Sequence, residues 1–114
     1  MPDVDLSVIV VNYNTAHLLE EMFKTLNAAS QGLSTQVIII DNASRDGGLA
    51  IVQRHALADP RVRFIANPDN PGFATACNQG ARDSDAPWLA FVNPDLMVEP
   101  DTLARLRDLG LPLG

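Results

Sequence analysis

The stretch "LSVIVVNYNT" (Leu6 to Thr15) decides the fold. A nearly continuous apolar, β-branched run, Leu6 to Val11, breaks off abruptly at Asn12-Tyr13-Asn14. A strand with one wet face would alternate; a run apolar at neighbouring positions is that of a strand covered on both faces of a parallel sheet. "QVIII" (Gln36 to Ile40) repeats the pattern, and "WLAFV" (Trp88 to Val92) is wholly apolar. "RVRFIA" (Arg61 to Ala66) differs: Val62 and Phe64 alternate with Arg61 and Arg63, as in a strand nearer an edge.

Helical spacing fills the intervals. Leu18, Leu19, Met22, Phe23 and Leu26 share one face, opposite Glu20, Glu21 and Lys24. A second helix is expected from Ser44, as N-cap, to about Ala58, with Gly47-Gly48 weakening its first turn. Phe73, Ala76, Cys77, Gly80 and Ala81 give a third helix a face of mostly small residues that can lie close to the sheet. A short fourth is expected over Glu99 to Asp108. The order β-α-β-α-β-α-β-α predicts an α/β fold, a doubly wound, mostly parallel sheet with helices on both faces and right-handed crossovers. Residues 1–110 are read as one domain and 111–114 as a tail.

The 114 residues suffice for one domain, and 46% hydrophobic with 19% charged content is that of a folded globular chain. A net charge of −6 argues against a nucleic-acid partner. It leaves a nucleotide open, since a backbone nest or a bound cation can hold one. The single cysteine, Cys77, rules out an internal disulfide and fits a reducing compartment. The N-terminus has no basic, apolar leader pattern, and no apolar run reaches the ~20 residues of a membrane helix. A cytoplasmic protein, or one peripheral at the inner face of the membrane, is expected.

The polar clusters carry the functional reading. Asn12-Tyr13-Asn14, Asp41-Asn42-Ala43-Ser44, Asn67-Pro68-Asp69-Asn70-Pro71-Gly72 and Asn93-Pro94-Asp95 each follow a strand. Parallel strands bring all four to one carboxyl-end edge, where ligands bind at the point of strand-order reversal. With order 3-2-1-4 that crevice opens between the first and fourth strands. Neither G-x-x-x-x-G-K-[ST] nor a G-x-G-x-x-G after the first strand is present, which disfavours a P-loop NTPase and an NAD-binding unit. A diphosphate here would be held with a divalent cation on a carboxylate.

"LSVIVVNYNT", "VIIIDNASRDG", "NPGFATACNQGA" and "FVNPDLMVEPDTL", in this order, resemble the successive signatures of family 2 inverting glycosyltransferases, particularly the rhamnosyltransferase-like branch. The resemblance spans about Leu6 to Leu106 and implies the Rossmann-like, nucleotide-diphospho-sugar-binding half of a GT-A fold. It implies that Tyr13 and Asn14 lie beside the nucleobase and ribose and that Asp41 hydrogen-bonds the base. Ser44 and Asp46 would shape that loop. Asn70, Gly72 and Asn78 would line the diphosphate and ribose. Asn93-Pro94-Asp95 matches the D-x-D motif, with Asp95 as ligand of Mg²⁺ or Mn²⁺ and Asn93 an amide in place of the first acid. The implied donor is a UDP- or dTDP-sugar and the acceptor a saccharide or a lipid-linked molecule, as in cell-wall or polysaccharide biosynthesis. The catalytic base of the family lies beyond this region, so no catalytic residue is assigned and the chain alone is expected to be inactive. The alternative is a non-catalytic nucleotide-binding or homo-oligomeric α/β module, with an exposed apolar face where further sheet would pack.

Other readings of the same residues stand beside these. Asp95 in Asn-Pro-Asp also suits a turn or a helix cap, and Asp41-Asn42 could cap the second helix. Tyr13 could be packing. His17 and His55, with no second ligand at metal spacing, are expected to be structural or solvated, Cys77 to sit in the core, and Trp88 to pack.

Overall fold

The computed structural model describes residues 4–29, 34–92 and Pro94. The helix expected over Glu99 to Asp108, and the positions Asn93 and Asp95, lie outside the described residues. Four strands, β1 (Leu6–Asn12), β2 (Thr35–Asn42), β3 (Val62–Asn67) and β4 (Trp88–Val92), alternate with three helices, α1 (Ala16–Ala29), α2 (Gly48–Ala58) and α3 (Phe73–Asp83). All pairings are parallel and the sheet order is β3-β2-β1-β4. The chain therefore lays down three neighbouring strands in one direction and then places β4 on the other side of β1.

Both faces of the central strands are covered, which is why β1 and β2 are continuous apolar runs. Val8, Val10, Val37 and Ile39 point to the face under α1 and α2, where Leu19, Met22, Leu26 and Val52 close the larger core. Ile9, Ile38 and Ile40 point to the opposite face, under Ala76 of α3. Ile38, Ile39 and Ile40 are all fully buried, each contributing about 1.5–3 kcal/mol of apolar transfer free energy. Gly80 makes the α3 contact close. A Cβ added there would meet Ile9 Cγ2 at 2.5 Å, so a helix with any side chain at this position would have to stand off the sheet.

Three local expectations are corrected. Helix α2 starts at Gly48, not Ser44, because Gly47 takes a left-handed φ of 86° that breaks the helical path; Ser44 is not its N-cap. Asp41 and Asn42 are the last two residues of β2, paired with Asn12 and Asn67, so they neither follow the strand nor cap α2. Phe73 is 59% exposed rather than turned to the sheet, since at the first position of α3 it lies beyond the strand ends. The edge position of β3 agrees with its alternation. On β4, Trp88 and Ala90 pack on the larger core while Leu89 and Phe91 stay exposed on the α3 side of the sheet, beside β1 and β2, on which α3 packs. Cys77 is half-buried, and burial raises its thiol pKa.

Candidate functional site

The carboxyl edge is where the polar clusters meet, and a crevice of about 430 Å³ opens there. Val11 and Tyr13 line it from the end of β1, Thr15 and Leu18 from the start of α1, and Asn42 from the end of β2. Asn70, Gly72 and Phe73 supply the wall leading into α3, and Pro94, buried just after β4, supplies the far side. Its position at the β1–β4 seam is the point of strand-order reversal, the general ligand position of open α/β sheets. Two other depressions, of about 340 and 570 Å³, include residues that begin β2 and β3, such as Thr35 and Val62, and so lie toward the amino end of the sheet.

The loops around the crevice are tied together by side chains. Asn12 is fully buried; its Nδ2 donates to Asp41 Oδ1 at 2.8 Å and to Ser44 Oγ at 3.3 Å, and its Oδ1 accepts from Thr15 Oγ1. Asp41 is 1% exposed, and its second oxygen accepts the Ser44 backbone N–H at 3.1 Å. Asn14 takes a left-handed φ of 53°, tolerable for an Asn. It is held there on both sides: its N–H donates to Ser44 Oγ at 3.0 Å and its Oδ1 accepts the Arg45 N–H at 2.9 Å.

Asp46 completes this bracing. One carboxylate oxygen accepts the N–H of Ala16, the first residue of α1, at 2.8 Å; the other accepts that of Gly48, the first of α2, at 3.0 Å. One side chain thus satisfies an orphan donor at two helix N-termini. These bonds, first that from Ala16 and then that from Gly48, hold its carboxyl below the usual carboxylate range, and the nearby His17 adds to the effect.

On the α3 side, Asn70 Oδ1 accepts the Gly72 N–H at 2.9 Å, and Gly72 sits at φ 98°, ψ 168°, a region open essentially to glycine. Asn42 Nδ2 donates to the Gly72 carbonyl at 3.3 Å. Behind it, Asn67 Nδ2 donates to Asn42 Oδ1 and to Gln79 Oε1, both at 2.8 Å, and Gln79 Nε2 returns a bond to Asn67 Oδ1 at 2.9 Å.

Of the residues singled out in the sequence, Tyr13 (50% exposed), Asn70 and Gly72 line the crevice directly. Asn14 and Asp41 brace the loops beside it, and Asn78 is exposed on α3. Asn93 and Asp95 flank Pro94 in sequence and lie outside the described residues. Among the described residues no group of three His, Cys, Asp or Glu side chains could hold a metal ion. Among the described residues the crevice lining is amide, hydroxyl and apolar. His55 is structural: its Nε2 lies 2.6 Å from Glu20 Oε1 and its ring stacks on Phe23 with centroids 3.9 Å apart. That bond, together with Arg54, lowers the Glu20 pKa. His17 is exposed.

Asn12, Asn42 and Asn67 belong to the clusters expected at this edge but were given no role of their own, and Gln79, Leu18 and Phe73 were not anticipated as part of the site. A signal for three of them was in the sequence: β1, β2 and β3 each end in Asn, at 12, 42 and 67, and Asn93 follows β4. A strand-terminal amide at the carboxyl edge can bond sideways to the next strand's loop, which a hydrophobic continuation could not.

Comparison with known proteins agrees with this architecture. The model of the family described as glycosyl transferase family 2 matches residues 7–109. The chain is 33% identical over 102 residues to the succinoglycan biosynthesis protein ExoO of Rhizobium meliloti, covering 90% of this chain and 28% of that protein. It is 27% identical over 101 residues to the dolichol-phosphate mannosyltransferase of Pyrococcus furiosus, covering 89% of this chain and again 28% of the relative. The chain thus spans a little over a quarter of the length of these relatives. Among solved structures, the mannosyltransferase PcManGT from Pyrobaculum calidifontis, in complex with GDP-Man and Mn²⁺, superposes with a TM-score of 0.84 at 27% identity, covering 98% of this chain and 34% of that one. Staphylococcus aureus TarS shares the fold, with a TM-score of 0.78 at 21% identity over 94% of this chain and 31% of that one. Four parallel strands in the order β3-β2-β1-β4, the crevice at their seam and the match over residues 7–109 together place the chain in glycosyl transferase family 2, with the Rossmann-like architecture of a GT-A fold.

Proposed function

We propose that this chain is the donor-binding part of an inverting glycosyltransferase, which takes a nucleotide-diphospho-sugar into the β1–β4 crevice. The observation that carries the reading is the crevice itself, at the reversal point, walled by an exposed aromatic ring (Tyr13) on one side and by Asn70 and Gly72 on the other. The likeness to PcManGT, whose structure holds GDP-Man and Mn²⁺, supports it. In this reading Tyr13 flanks the base, while Asn14 and Asp41 fix the loop on which base and ribose rest. Asn70, Gly72 and Asn78 follow the ribose and diphosphate, and Asn93 bonds ribose hydroxyls.

The reaction is a single displacement. The acceptor hydroxyl attacks the anomeric carbon, its proton passes to a base, and the nucleoside diphosphate leaves. Residues 4–29, 34–92 and Pro94 bind and orient the donor and keep its base out of water. The one acid among them at this edge that is buried, Asp41, has both oxygens engaged by Asn12 and Ser44, so it is not the base. Residues 1–114 on their own are proposed to lack transferase activity, because the base of the family the sequence resembles lies beyond the resembling region. A divalent cation, Mg²⁺ or Mn²⁺, when bound at Asp95, supplies charge to offset that of the diphosphate, which a chain of net charge −6 otherwise disfavours. A UDP- or dTDP-sugar donor, the rhamnosyltransferase-like branch, a saccharide or lipid-linked acceptor and action in cell-wall or polysaccharide synthesis at the inner face of the membrane belong to the same proposal. No helix among the described residues is long and apolar enough to cross a membrane.

Titration calorimetry with UDP, dTDP and GDP, each with and without Mn²⁺, tests the reading. Metal-dependent binding of a nucleoside diphosphate, lost in Asp95→Ala, is the expected result. Absence of binding by all three in both conditions would sink it. Such a result, combined with self-association through the exposed Leu89 and Phe91 face, would favour a dimerising module instead.

A further inference from the structure

We propose that Gln79 and Asn67 are positioning residues for the donor crevice, acting through Asn42 on the backbone of Gly72. The inference rests on the reading of that crevice as the donor site. Gly72 stands in the wall with φ 98° and ψ 168°, a conformation that persists only where its surroundings over-determine it. Its N–H is held by Asn70 Oδ1 at 2.9 Å, and its carbonyl accepts from Asn42 Nδ2 at 3.3 Å and from the Ala76 N–H at 3.2 Å. The carbonyl is thus shared between the helix it starts and a strand two elements away.

Asn42 can donate in that direction only if its amide is turned the right way, and Asn67 holds it there. Asn42 and Asn67 are register partners at the ends of β2 and β3. Asn67 donates one amide hydrogen to Asn42 Oδ1, which leaves the Asn42 NH₂ facing Gly72. The other hydrogen goes to Gln79 Oε1, while Gln79 Nε2 donates back to Asn67 Oδ1. The Gly72 carbonyl, which can only accept, sets the polarity of the chain, and the reciprocal pair with Gln79 holds Asn67 in place at the other end, since flipping Asn67 alone would set acceptor against acceptor and donor against donor. Gln79, part-buried on α3 and absent from the crevice lining, therefore anchors with two bonds the far end of a hydrogen-bond chain that ends on the crevice wall. A leucine at 79 would fill the same space but leave one Asn67 amide hydrogen and its Oδ1 without these bonds, loosening its hold on Asn42 and so on the Gly72 carbonyl.

The test has two readouts on the full chain. Amide hydrogen exchange is measured for Gly72 and Ala76, whose N–H groups report the wall, against Ile9 and Val10 of β1 as reference. Affinity is measured for whichever of UDP, dTDP or GDP with Mn²⁺ binds the unaltered chain. Gln79→Leu is expected to speed exchange at Gly72 and Ala76 by about five- to tenfold, the worth of one net hydrogen bond, and to weaken nucleotide binding to a similar degree. Adding Gln79→Leu to an Asn67→Leu background is expected to change either readout by less than about twofold, because Gln79 acts only through Asn67, which an independent fold-wide defect would not allow. Unchanged exchange at Gly72 and Ala76 in Gln79→Leu overturns the proposal, as does an equal rise at Ile9 and Val10. Faster wall exchange with unchanged affinity overturns the positioning role. If no nucleotide binds the unaltered chain, the donor-site reading fails, and the exchange measurement still decides whether the amide chain holds Gly72.

Discussion

Replacing Asp46 by alanine removes one carboxylate and uncaps two helices together. Capping side chains are worth about 1 kcal/mol each, with a range of about 0.5–2. Asp46 accepts the first N–H of α1 and the first N–H of α2, so the structural loss is close to two caps. Its charge beside two helix N-termini adds a few tenths of a kcal/mol, discounted because the side chain is exposed to solvent and salt. The total, about 2 kcal/mol, corresponds to a fall in Tm of roughly 8–10 °C for a domain of this size. The pH dependence follows from the depressed carboxyl. A group whose folded pKa lies below its unfolded value contributes fully above the unfolded value, about 3.9, and loses that contribution as the pH falls through the folded one. The gap between the original chain and Asp46→Ala should therefore be full at pH 7 and shrink below about pH 4. Urea unfolding followed by circular dichroism at pH 7, 5, 4 and 3 measures it. A difference under about 0.5 kcal/mol at pH 7, which is the level of an ordinary surface substitution, would refute the double-cap argument. So would a gap that does not change between pH 7 and pH 3.

Two further outcomes are expected. Gly80→Ala should destabilise the chain in thermal unfolding even though alanine favours helix by about 1 kcal/mol, because its Cβ would press on Ile9 Cγ2 in a buried strand and overpacking costs about 1–3 kcal/mol. Gly72→Ala meets nothing within 4 Å, so its cost is purely the backbone strain of φ 98°, about 1–3 kcal/mol; unfolding at unchanged m-value would show it, and a neutral result would mean the loop has another conformation open to it.

The layers of the fold were legible because burial on both faces leaves a compositional trace. Val8, Ile9 and Val10 could not be neighbours in a strand with a wet side, and Arg61 and Arg63, just before and within β3, marked its edge position. The strand order 3-2-1-4 entered the sequence reading only as the condition for a crevice between the first and fourth strands, and it is the order observed. The loops were less legible, since their geometry is set by bonds between distant segments. Ser44 has the composition of an N-cap, yet its hydroxyl serves Asn12 and Asn14, two residues brought near only by the β1–β2 pairing. Likewise Phe73 fits the helical period of α3 but falls one turn beyond the strands it was expected to cover. Tyr13, Asn70 and Gly72 were found because clusters after parallel strands converge. Asn42 and Asn67 stood in the same clusters, but their bonding roles, and Gln79 altogether, were missed because an amide within a strand end or a helix carries no local mark of its cross-strand partner.

The strand order has a consequence for how the crevice comes into being. Ser7 on β1 pairs with Gln36 on β2 across 29 residues, but with Ser84, just before β4, across 77. On loop-closure entropy alone the longer connection costs about 0.9 kcal/mol more, and its β1–β4 contacts need β1 already laid against β2. The first three strands and their two crossovers form a local, self-consistent unit; β4 arrives from far along the chain to an edge that is waiting. The seam that holds the crevice is thus the junction between the early and the late part of folding, and a ligand seated there would act as a clasp on the last strand to join.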